Sequence, residues 1–164
     1  MPRFISVASA ILLACMICSG CSNQAKSSHS HIAQPQEHKH GHKSAHGGTL
    51  NAIVTCENGH AEVKLSGEKL QLWFVSGGHN TGMSVRIPDS SIRLQVKTNE
   101  GMKTLVLSPS PLDLAGEKAG DCSYFEGNAP WLKGLSEFTA DGQITFKRKK
   151  TPLRIEYPKG YDPD

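Results

Sequence analysis

Outside its first twenty residues the chain has no long apolar run, which excludes a multi-span helical membrane protein. Neither sign of charge dominates. Eighteen Lys and Arg face fifteen Asp and Glu, a formal charge of +3, too balanced for a dedicated nucleic-acid binder. No long amphipathic helix pattern and no internal repeat can be found. The sequence holds no G-x-S-x-G, H-E-x-x-H, P-loop or G-x-G-x-x-G. His60-Ala61-Glu62 copies the H-x-E of zinc deaminases, but the P-C-x-x-C that must accompany it is missing. Asp89 and Asp121 have no recognisable acid–base partner in the sequence. These absences argue against an enzyme. What remains is 37% hydrophobic residues, enough for one small core, with 16 Gly and 9 Pro that favour turns over helices.

The N-terminus reads as a targeting segment. Met1-Pro2-Arg3 gives a positive start and residues 4–17 an apolar run, followed by Cys18-Ser19-Gly20-Cys21 and a polar stretch. Ser-Gly-Cys resembles the end of a bacterial lipobox, which implies a lipoprotein signal peptide over 1–20 and lipidation of Cys21. Cys18 stands where the pattern prefers Leu, and Leu12-Leu13-Ala14-Cys15 is a competing site that leaves a shorter apolar run. A lipidated protein sits on a membrane and does not cross it. The expected location is the bacterial envelope, facing the periplasm, with Ser22 favouring the outer membrane.

Two of the five cysteines then remain in the mature domain, Cys56 and Cys122. In an oxidising compartment an even pair implies a disulfide, worth roughly 4 kcal/mol for so long a loop. The rival reading joins Cys56 with His60 as metal ligands on a C-x3-H spacing.

Residues 21–46 carry Ser, Gln, Lys and almost no large apolar side chain. Such a stretch cannot bury enough surface to fold and is expected to be a disordered linker. It holds His29, His31, His38, His40, His42 and His46. In an extended chain alternate side chains share a face, so His29-x-His31 and His38-x-His40-x-His42 can chelate Cu, Ni or Zn through neutral imidazoles. Copper or nickel should outcompete zinc on such a nitrogen site. The folded part adds His60 and His79 as candidate ligands.

From 47 to 164 short alternating runs are separated by turn signals. Ala61, Val63 and Leu65 alternate with Glu62 and Lys64, and Ile92, Leu94 and Val96 with Arg93, Gln95 and Lys97; Ser66-Gly67-Glu68 reads as a turn, and Leu153, Ile155 and Tyr157 as a last strand. Leu70–Val75 is apolar on both faces, as in a central strand. Met83–Ile87 reads as a further strand. Asn99-Glu100-Gly101 and Asp141-Gly142 read as hairpin turns, and Pro130 starts a single helical turn. Seven or eight such strands predict an all-β, antiparallel, immunoglobulin-like β-sandwich. Lys147-Arg148-Lys149-Lys150 reads as a solvated strand end or a contact for anionic lipid.

His46-Gly47-Gly48-Thr49-Leu50 followed by Gly59-His60-Ala61-Glu62-Val63 resembles the start of a small β-domain in periplasmic adaptor subunits of heavy-metal efflux pumps. Leu72–Gly78 and Gly120-Asp121-Cys122-Ser123 resemble uncharacterised bacterial lipoproteins with the same H-G-G start. The adaptor likeness implies metal near His46 and His60. The chain lacks the helical hairpin and lipoyl-like modules of a complete adaptor. The sequence therefore supports a lipid-anchored envelope protein that binds divalent transition metal and buffers it or hands it on. The alternative is a non-catalytic interaction module docking on another envelope protein, with the His-rich segment as a tether.

Overall fold

A computed structural model describes residues 42–78 and 82–163. Cys21, His29, His31, His38, His40 and His79 lie outside the described residues. The fold is all-β, with eight antiparallel strands: β1 (Thr49–Ile53), β2 (Thr55–Ser66), β3 (Lys69–Val75), β4 (Ile92–Thr98), β5 (Gly101–Pro109), β6 (Tyr124–Asn128), β7 (Phe138–Phe146) and β8 (Lys149–Tyr157). The helical pieces include two single 3-10 turns, Asp113–Ala115 and Pro130–Leu132. The second is the turn that Pro130 predicts. No helix of the described residues is long and apolar enough to cross a membrane.

The strands form one sheet in the order β1-β2-β3-β6-β5-β4-β7-β8. It curls until its ends nearly meet. Beyond β8 the chain turns back, and the Ala52 amide donates to the Tyr161 carbonyl at 2.7 Å while Asn51 Oδ1 accepts from the Glu156 amide at 2.8 Å. The expected all-β antiparallel class is what forms. Its strands are joined edge to edge in a barrel-like sheet and not divided into two separately bonded immunoglobulin sheets. The reason lies in β5, which pairs with β4 along its length and then with β6 through Ser108 and Pro109. That short seam stitches the two halves together.

Alternation decides which side chains enter the core. Leu70, Leu72 and Phe74 of β3 are fully buried, as are Ile92, Leu94 and Val96 of β4. Each contributes about 1.5–3 kcal/mol by leaving water. Phe74 meets Phe125 of β6 edge to face, with ring centres 5.9 Å apart.

One strand reading and one turn reading need correction. Met83–Ile87 makes only isolated bridges, from Ser84 to Val75 and from Ile87 to Cys122. Asp141-Gly142 is no turn but the middle of β7. A Cβ on Gly142 would meet Leu94 Cδ2 at 2.8 Å and the Arg93 carbonyl oxygen at 3.0 Å, so glycine serves there to let β4 approach. The reversal falls instead at Lys147 and Arg148, both at positive φ, inside the basic run.

Candidate metal centre

The face of β2 opposite the core is where the structure departs furthest from expectation. Ala61 and Val63 point inward. His60 and Glu62 therefore point outward, where a solvated pair is expected, yet their exposures are 4% and 0%. The covering material is the segment just before β1. Residues 42–46, assigned by composition to a disordered linker, lie on the sheet as a strap. The Ala45 amide donates to Glu62 Oε2 at 3.0 Å, and the His46 and Gly48 amides donate to Oε1 at 2.7 and 2.8 Å. His46 Nδ1 stands 3.0 Å from Oε2. The His46 ring also stacks on Trp73 at 4.6 Å, and Trp73 on Tyr124 at 4.8 Å. A carboxylate without water costs several kcal/mol unless it is fully hydrogen-bonded, and here the strap meets that demand.

Further along the strap and at the start of β2 a mixed donor set converges. One ligand atom each from His42, Cys56 and Glu57 lies within 4.8 Å of the others. Cys56 is buried, His42 half-buried and Glu57 exposed. The His42 ring lies 4.9 Å from the ring of His60. Nδ1 of His60 is buried with no hydrogen-bond partner among the described residues. Such an orphaned nitrogen is costly in a protein interior and needs a reason. Backbone geometry shapes the spot. The register slips between Ala52 and Ile53, and Val54 follows at φ 70, an outlier for a β-branched residue. Gly77, on the chain leaving β3, passes directly over the backbone of Cys56 and Glu57.

Burial and the neighbouring His42 hold the His60 pKa below its ordinary 6.5, against opposing pulls from the Ser76 backbone, Asp162 and Glu57. The imidazole is thus kept neutral, the form that binds metal. Burial alone would raise Glu62, but the bonds from Gly48 and His46 outweigh it and hold its carboxyl below the ordinary 4.5. Glu117 behaves likewise, with burial opposed by Ser123 and the Leu112 amide. All three folded values are depressed. Their stabilisation is complete above the unfolded values and is lost as pH falls through the folded ones. Stability should therefore decline first below about pH 6.5, from His60, and again below about 4.5, from the two glutamates. Urea midpoints at pH 7.5, 5.5 and 3.5 will check the two steps, and a flat midpoint from 7.5 to 5.5 would contradict the buried neutral His60.

Of the sequence candidates, His42, His60 and Cys56 come together. His46 is committed to Glu62 and Trp73 and stands apart as an anchor. The expected Cys56–Cys122 disulfide is not formed. Cys122 lies elsewhere in the core, where its thiol donates to the Tyr124 carbonyl at 2.9 Å beside Glu117. Burial raises its pKa, which makes it an inert packing thiol. Thiol labelling of the denatured, unreduced protein should modify both Cys56 and Cys122, and failure to label either would restore the disulfide.

The sequence reading missed two glutamates. Glu57 completes a C-E-x-x-H run whose spacing was legible. Glu62 entered only through the H-x-E run that lacks its partner motif, because its role depends on a strap that reaches it from fourteen to seventeen residues away. Compared with protein families, curated proteins and solved structures, the chain shows no match.

Proposed function

We propose that the protein is a lipid-anchored envelope lipoprotein that binds a divalent transition metal through His42, Cys56 and Glu57, with His60 beside them. The convergence of imidazole, thiol and carboxylate within 4.8 Å carries this reading. The donor chemistry fits borderline ions such as Zn, Cu or Ni and not Mg or Ca, because a thiolate and imidazoles are soft ligands. The likeness of the H-G-G start to metal-efflux adaptors points the same way, as do the further imidazoles at His29, His31, His38 and His40, which can deliver or accept the ion. The barrel-like sheet, with its two halves layered as in a sandwich, serves as the rigid support. The anchor is Cys21, on the lipobox reading.

The test is a titration of the mature protein in detergent with Co(II), whose bond to a thiolate gives a charge-transfer band. Appearance of that band at one equivalent supports the centre. Binding without it assigns the metal to the histidine tail alone. Absence of binding leaves the docking-module reading, in which the exposed Leu112 and Leu114 of the loop after β5 are the residues to probe.

A further inference from the structure

We propose that Glu62, which is outside the ligand cluster, is the positioning residue of the metal centre. Its buried carboxylate pins the strap and so places His42 against Cys56. The inference rests on the metal-centre reading and deepens it. Three strap amides, those of Ala45, His46 and Gly48, converge on the two oxygens of this one side chain. The His46 ring closes over it and is clamped in turn by Trp73. His42 precedes the first of those amides by three residues. Cys56, Glu57 and His60 come with β2 whatever the strap does, whereas His42 reaches them only when the strap is down. Among the described residues no other side chain receives three strap amides. The ligand set is therefore assembled from two pieces of chain, and Glu62 is the joint between them. Metal bound across that joint ties the strap to the sheet, so ion and strap hold each other in place.

The chemistry of the joint sets a graded test. Glu62→Gln keeps one carbonyl oxygen for the His46 and Gly48 amides but turns an N–H group toward the Ala45 amide. Glu62→Ala removes every acceptor. Gly48→Ala leaves the carboxylate in place, but its Cβ would meet the Val63 carbonyl oxygen at 2.7 Å and Glu62 Cγ at 2.9 Å, which lifts the strap from outside. In the mature protein in detergent, Co(II) affinity should fall about tenfold in Glu62→Gln and about 100-fold in Glu62→Ala, the range seen when support of a ligand is lost. Gly48→Ala should fall between them. At saturation the cobalt visible bands of Glu62→Ala should match those of His42→Ala, since both lose the same ligand. In a His42→Ala background, Glu62→Ala should cost no further affinity, a non-additivity that a merely structural role does not produce. Wild-type affinity in Glu62→Ala overturns the proposal. If that variant does not fold, wild-type affinity in Gly48→Ala overturns it. Additive losses in the double variant overturn it as well. Wild-type affinity in both His42→Ala and Cys56→Ala is a different failure, which removes the centre itself.

Discussion

Replacing Cys56 by alanine is expected to weaken Co(II) and Zn(II) binding by at least about 100-fold near neutral pH, with loss of the thiolate band. Cys56 supplies the sole sulfur of the cluster and, unlike the half-buried His42 and the exposed Glu57, is buried and carried by the sheet. Without it the site keeps only imidazole nitrogens and a carboxylate, a set that histidines elsewhere in the chain can match. His42→Ala should cost a comparable factor. Glu57→Gln should cost less, about tenfold, because Glu57 is exposed and water can take its place. Cys122→Ala is the control. It removes a buried thiol from the core and should lower stability without changing affinity. Competition against a chromophoric chelator at pH 7.5 and 6.0 measures all four. Acid should weaken the wild type, since protons compete for both thiolate and imidazole. If Cys56→Ala binds as the wild type does, the ion sits on the tail imidazoles, and the cluster beside β2 is a packing accident.

Gly77→Ala is expected to destabilise the domain by about 3 kcal/mol or more and to abolish the centre with it. The added Cβ would fall inside the envelope of the Cys56 carbonyl oxygen and lie 2.8 Å from both Glu57 C and Gly59 N. All three are backbone atoms of β2, so no side chain can swing aside to make room. Relief requires the chain after β3 to move away from β2, and that motion displaces Cys56 and Glu57. Gly67→Ala gives the contrast. Gly67 sits in the β2–β3 turn at φ +61 with open space around it, so alanine there costs about 1–2 kcal/mol of backbone strain and no collision. Urea unfolding of both variants, read beside their Co(II) spectra, separates the two mechanisms. A Gly77→Ala protein with wild-type stability and an intact thiolate band would contradict the close approach.

Much of the fold could be read directly because β-structure writes itself locally. Alternation at Ala61–Leu65, Ile92–Val96 and Leu153–Tyr157 marked strands that the structure contains, and Leu70–Val75 was recognisable as central. The turns at Gly67 and Gly101 were legible from glycine alone. The reading failed where a residue's meaning came from a distant neighbour. Gly142 looks like a turn until β4 is laid against it. Tyr124–Asn128 has no clean alternation, because β6 is held at the seam by β3 and β5 on either side.

The candidate centre divides in the same way. By itself the sequence determined the all-β class, the donor inventory of histidines with Cys56, and the C-x3-H spacing that set Cys56 beside His60 as a rival to the disulfide. Only the tertiary structure set the disulfide aside. It placed the two cysteines in separate surroundings and brought His42 down from the presumed linker. It also converted His46 from a candidate ligand into a clamp on Glu62. The physical reason is the buried carboxylate. Glu62 on an open sheet face is an ordinary solvated side chain, and composition can say nothing more about it. Deprived of water, it must find donors, and the amides of the strap are the donors within reach. That requirement is non-local, so no window of sequence contains it.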